Sequence, residues 1–277
     1  MSSRFRAVAA LAAVSFALAG PAPAAPSHEQ AQAYVEHVPT GSRDEPVARW
    51  RDPICPLVAG LASDQAERLL ERLSNDARAV GAPLGASDCR ANLYIVAAAD
   101  PQAAVRAWAQ REPLLFGPHR EAELQQMIRT ERPVRVWRKT ATTSSDGHGA
   151  AVQSQALFGT QGQASKPVLN WAGDSHLSGN TARYIAGAAI VLGPRVDKVT
   201  IDQLADYIAL TSFAEVRLDG DLGQEPSILT LFRQGVAPSK RLSPADEAYL
   251  KALYQVQPNI VGQRTAIAER MGEGATR

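Results

Sequence analysis

Residues 63–80 carry the clearest periodic pattern: Ala66, Leu69, Leu70, Leu73, Ala77 and Val80 recur at three- and four-residue intervals. That spacing puts them on one face of a helix. Ser63 or Asp64 can cap it, Glu67 stands at capping-box distance from Asp64, and Gly81 offers a left-handed stop. The period then changes. Leu93-Tyr94-Ile95-Val96-Ala97 is apolar without alternation, which predicts a strand covered on both faces. Asp100 caps a second helix with Pro101 at its first position and Val105 and Trp108 facing inward. A third helix spans 121–131 and breaks ahead of Pro133.

From Val134-Arg135-Val136-Trp137-Arg138 to about Leu192 the text is strand-rich. Strands are expected at 151–158 and 188–192, between loops rich in Ser, Thr, Gly and Gln. Helix returns at 201–216, with Thr200 as cap and Leu204, Ile208, Leu210 and Phe213 as apolar positions. An acidic loop and a short apolar run, 227–232, follow. Ser243, Pro244 and Asp246 open a capped helix lined by Leu250, Leu253 and Tyr254, and a last helix covers 259–271. Ahead of all this, 25–48 is polar and reads as a flexible leading segment with one short strand over 33–38. The expected class is α+β: a small N-terminal α/β layer in the order strand-helix-strand-helix, a strand-rich middle and a helical C-terminal part. The boundaries are 1–24, 25–48, 49–131 and 132–277, the last two being separate parts or one continuous domain.

The first 24 residues read as an export signal. Arg4 and Arg6 make a basic start, an uncharged run from Ala7 to Gly20 follows, and Ala22 and Ala24 fit the A-x-A pattern of a cleavage site. The expected cut is after Ala24, since a cut after Ala25 would leave Pro26 first. The rival is an uncleaved anchor, but the run is about 14 residues where a span needs about 20. No later stretch is long and apolar enough to cross a bilayer, so the reading is a periplasmic or secreted protein. Losing Arg4 and Arg6 from 29 basic residues leaves the chain one short of its 28 acidic ones. A near-neutral chain has no general pull on nucleic acid.

Export changes the meaning of the cysteines. Cys55 and Cys89 are the only two, and in an oxidising compartment an even pair is most simply a disulfide. A metal pair or a reactive thiol are the alternatives, but two cysteines do not complete a tetrahedral zinc site.

Candidate chemistry is sparse. Five histidines occur, with no H-E-x-x-H and no pair at i, i+4. Asp146-Gly147-His148 and Asp174-Ser175-His176 could each offer a carboxylate and an imidazole from one loop, or be polar turns. G-x-S-x-G, a P-loop and G-x-G-x-x-G after a strand are absent. Asp219 and Asp221 are a solvated turn or a carboxylate pair. The basic run Arg129, Arg132, Arg135, Arg138 and Lys139, with Trp137 inside it, either binds an acidic glycan or lipid head group or protects a strand edge.

Several stretches carry a resemblance: Asp52-Pro53-Ile54-Cys55-Pro56, Gly60-Leu61, Cys89, Asn92, Ala205-Asp206-Tyr207, Ser227-Ile228-Leu229-Thr230-Leu231-Phe232, the text from Leu242 to Tyr254, and Ile267-Ala268-Glu269-Arg270-Met271. Together they resemble a family of uncharacterised secreted bacterial proteins built on a domain of unknown function. The layout is also similar to zincin-like secreted proteins, in which a ligand-bearing helix precedes an S-P-x-D-x-x-x-L-x-x-L-Y helix. Here the corresponding text, 203–210, lacks both histidines. The resemblance therefore implies a scaffold without the peptidase site. The expectation is an exported, non-catalytic binding or scaffold protein, without cofactor, that engages an envelope protein, a peptide or a glycan. The alternative is a secreted hydrolase, peptidase-like, with a site outside the known motifs.

Overall fold

The computed structural model describes residues 25–116, 121–144, 181–219, 222, 226–237 and 239–273. Within them the strands are β1 (Arg49–Trp50), β2 (Pro56–Ala59), β3 (Leu93–Ala97), β4 (Val134–Ser144) and β5 (Thr181–Leu192). The helices are α1 (His28–His37), α2 (Ser63–Val80), α3 (Pro101–Arg111), α4 (Pro113–Phe116), α5 (Glu121–Arg129), α6 (Ile201–Phe213), α7 (Pro244–Gln255) and α8 (Gln263–Gly272).

β5 organises the sheet. One of its edges is taken along its whole length by antiparallel β4, from Val134↔Leu192 to Ser144↔Thr181. A strand has two edges, so its parallel partners share the other: β1 pairs with Tyr184 and Ile185, and β3 with Ala188 to Leu192. β2 lies parallel outside β3. The result is one mixed sheet in an α+β fold, and it crosses the 131/132 boundary. β5 is longer than the expected 188–192 because its first half pairs with β1 and the distal part of β4.

Alternation along β5 divides the interior in two. Ile185, Ala188, Ile190 and Leu192 face the larger core with α1, α2, α6, α7 and α8. Ala189 and Val191 face the smaller one, with Val105 of α3, Phe116 of α4, and Leu124 and Ile128 of α5. In that smaller layer the rings of Tyr94, Trp108, Phe116 and Trp137 touch in series at 5.6, 6.0 and 5.3 Å between centroids. β3 is covered on both sides, fully at Leu93 and Ile95 and partly at Tyr94 and Val96.

The leading segment differs from the expectation. Residues 33–37 belong to helix α1, with Val38 as its C-cap, not to a strand, and Ala31, Tyr34, Val35 and Val38 are buried. Their i, i+3, i+4, i+7 spacing begins outside the short Tyr-Val-His-Val window that suggested extended chain, and Ser27 with Gln30 forms a capping box. The start of α2 also differs: Ala62 is the N-cap and gives no side-chain bond. The short apolar run 227–232 holds a 3₁₀ turn, Ile228–Thr230. The caps at Asp100, Thr200 and Ser243 and the left-handed Gly81 (φ 76°) are as the sequence predicts.

α6 is buried from Leu204 to Phe213, on every face rather than one. Ala205, Ala209, Thr211 and Ser212 are small enough to let neighbours close on it, and most of its buried polar groups are bonded. Thr211 Oγ1 donates to the Tyr207 carbonyl (2.7 Å), and the Ser212 carbonyl accepts from Trp50 Nε1 (2.7 Å). Asp206 receives a two-point contact from Arg72 of α2, Nε at 2.6 Å and Nη2 at 3.1 Å, and the Leu242 amide at 2.7 Å. Asp76 stands 3.4 Å from the same Arg72 Nε.

A second buried carboxylate ties the C-terminal helices to α1. Asp246, wholly buried, accepts at Oδ1 from Tyr34 Oη and Ser227 Oγ, both at 2.6 Å. Its Oδ2 accepts from the amides of Ile228 (2.8 Å) and Ser243 (2.9 Å). Burial raises its pKa, and these bonds to the charged form oppose the rise.

Cys55 and Cys89 form the disulfide, across 34 residues with Cα atoms 5.9 Å apart. Gly85 makes room for it: a Cβ there would lie 2.4 and 2.5 Å from the two sulfurs. Asn92 ties the same corner, accepting from the Cys55 amide (2.8 Å) and donating to the Pro53 carbonyl (2.9 Å).

Candidate functional site

The topology singles out one place. β3 and β5 are adjacent and parallel, yet the helices that follow them leave in opposite directions. After β3 the chain enters α3, which packs in the smaller core; after β5 it reaches α6, in the larger one. Between strands whose connections part in this way a crevice opens at the carboxyl ends, and such crevices are where open α/β sheets bind ligands. Here it is about 450 Å³, lined by Ala99–Gln102, Glu131–Pro133, Arg135 and Gly193–Arg195.

Local sequence explains its shape. Pro133 stands between α5 and β4, and its carbonyl accepts from the Gly193 amide (2.8 Å). Gly193-Pro194 stops β5 and turns the chain into a 3₁₀ segment, Pro194–Lys198. A Cβ on Gly193 would meet Pro101 Cγ at 3.2 Å and the Pro133 carbonyl at 3.4 Å, so glycine lets these segments close together. Asp100 caps α3 at the rim, its Oδ1 accepting from the amides of Gln102 (3.0 Å) and Ala103 (2.9 Å).

Arg135 forms the floor. It pairs with Val191 across the β4–β5 ladder and is only 5 % exposed. Its Nη1 donates to the Arg132 carbonyl at 2.9 Å, while its Nε is buried with no hydrogen-bond partner. Burial first, and then the charge of nearby Arg195, push its pKa below the ordinary arginine value; Glu131 and Asp100 act the other way. The guanidinium stays charged. A buried cation with an unused donor, beside a second cation, leaves uncompensated positive charge that favours a nearby anion.

Of the two larger depressions, Arg135 also lines the second, whereas Arg195, Asp100 and Glu131 line only the crevice among these three. One of about 960 Å³ lies between residues 239–244, α7 and α8, and its rim carries Glu247–Lys251 and Arg270–Glu273 pairs. The other, about 600 Å³, runs beside β4, where Arg132 pairs with Asp219 (2.9 Å) and Arg183 with Glu215 (3.0 Å). Arg138 there donates to the carbonyls of Thr211 (2.6 Å) and Val216 (2.8 Å).

The basic run of the sequence is thus divided among several tasks. Arg135 and Arg132 reach the crevice, Arg138 closes the end of α6, and Trp137 is buried in the smaller core with its Nε1 on the Leu115 carbonyl (3.1 Å). Arg195, Asp100 and Glu131 join the site only through folding; the Leu192-Gly193-Pro194 stop after an apolar strand was the available signal. Asp146, His148, Asp174, His176, Asp221 and the strand expected at 151–158 lie outside the described residues. Among the described residues no group of three or more His, Cys, Asp or Glu could hold a metal ion, and no helix is long and apolar enough to cross a membrane. The text at 203–210, matched to a ligand-bearing helix by the zincin resemblance, lies within buried α6. No protein-family model, curated protein or solved structure matches the chain.

Proposed function

We propose that this chain is an exported envelope protein with a non-catalytic binding role, and that it holds its ligand by an oxyanion group in the crevice at the carboxyl ends of β3 and β5. The observation that carries the reading is Arg135, a buried guanidinium with an unused Nε–H at the point where the sheet's connections diverge. Export is supported by the basic, apolar and A-x-A succession of 1–24 and by the Cys55–Cys89 disulfide, which persists in oxidising compartments. The binding role accords with a crevice whose walls are set by backbone turns and a helix cap.

The test is calorimetric titration of the purified mature chain with inorganic phosphate and with acetate, at low and moderate salt. Saturable binding of one of them is expected. Arg195→Gln, at an exposed position that tolerates substitution, should weaken it about tenfold or more, the worth of a charge-assisted contact. No saturable binding of either anion, or equal binding by Arg195→Gln, would remove the basis of the proposal.

A further inference from the structure

The crevice also holds acceptors. Both capping bonds at Asp100 end on Oδ1, so its Oδ2 is uncommitted among the described residues, and Glu131, exposed at the same crevice, makes no hydrogen bond or ion pair with any described residue. Both carboxylates act electrostatically on Arg135. Arg132, the third arginine of the lining, is occupied by Asp219. The uncommitted groups are therefore two guanidinium donors, Arg135 and Arg195, and two carboxylate acceptors, Asp100 and Glu131.

We infer that the ligand is a small zwitterion, an α-amino carboxylate, with its carboxylate on Arg135 and Arg195 and its ammonium between Asp100 and Glu131. This rests on the anion-site reading above and deepens it. The four groups sum to no net charge, so a polyanion would gain at the arginines and lose at the carboxylates. A ligand carrying one charge of each sign satisfies both. A crevice of about 450 Å³ is near the small end of ligand sites and suits a molecule of amino-acid size. Asp100 serves two roles: one oxygen holds the amides of α3, and the other faces the ligand.

The experiment is calorimetry on the intact mature chain with a panel of α-amino acids, their N-acetyl derivatives and the matching carboxylates without the amine. At least one amino acid should bind tenfold or more tighter than both of its analogues. Asp100→Asn, which keeps a good helix cap, and Glu131→Gln should each erase most of that advantage while leaving the binding of simple carboxylates or phosphate in place. Equal binding of the N-acetyl form, or an advantage that survives both substitutions, overturns the inference. If simple oxyanions bind through Arg195 and the amine adds nothing, the zwitterion falls and the anion site stands. If neither amino acids nor simple oxyanions bind, both fall.

Discussion

Replacing Asp76 by Asn should change how stability depends on pH, in a direction the structure fixes. Asp76 is 6 % exposed on α2, facing Asp206 of α6, which is 1 % exposed, and Glu247 of α7 acts on it as well. One guanidinium, Arg72, serves both aspartates, and Asp76 Oδ2 is buried without a hydrogen-bond partner. Burial first, and then the charge of Asp206, push the Asp76 carboxyl up from 3.8 to about 7, with Arg72 opposing. The folded chain thus holds a proton that the unfolded chain releases near pH 4. The stability this provides is present in acid and is lost as pH rises from about 4 to about 7. A shift of about three units corresponds to about 4 kcal/mol. Water at the Arg72 side, which is 26 % exposed, screens part of it, so a change on the order of 1–2 kcal/mol is expected. Urea denaturation of both proteins between about pH 4.5 and about pH 8 isolates the effect. The Asn variant should gain that amount relative to the native chain across the interval. A difference independent of pH, or one that favours the native chain on the alkaline side, would refute the reasoning.

Cys89→Ser should cost roughly 3–4 kcal/mol, the chain-entropy value for a 34-residue loop, and reductant should abolish the gap between variant and native chain in denaturant titrations. Gly85→Ala, whose methyl would collide with both sulfurs, should leave two titratable thiols where the native chain shows none. Tyr34→Phe takes one of four donors from buried Asp246 and should cost about 1–3 kcal/mol by thermal or chemical unfolding; an unchanged midpoint would mean that this bond adds nothing. Mass spectrometry of native material should find Ala25 as the first residue, and an intact N-terminus would count against export through a cleaved leader.

Local signals were the legible part of this chain. The caps at Asp100, Thr200 and Ser243, the Gly81 stop and the cysteine pair depend on neighbours within a few residues or on composition, and the sequence states them directly. α1 was misread because Tyr34, Val35 and Val38 suit a strand when the window leaves out Ala31 and the Ser27–Gln30 box. The burial of α6 on all sides could not be read from its own text, since Asp206 looks solvated until Arg72, 134 residues away, is known to meet it. The crevice was hidden for the same reason. Arg135 stands near the start of β4 and Arg195 just past the end of β5, and only the antiparallel β4–β5 pairing brings them to one place. Within the run from Arg129 to Lys139 charge alone was visible; which arginine would be buried depended on the alternation of β4 against β5.

The most direct test of an oxyanion held by Arg135 is the Nε–H resonance of that guanidinium in ¹H–¹⁵N spectra, assigned with Arg135→Lys. On titration with inorganic phosphate or acetate this signal should shift along a saturable curve shared with Arg195, while the Nε signal of Arg72, already bound to Asp206, stays still. A stationary Arg135 signal at anion concentrations that move exposed arginines would contradict the account.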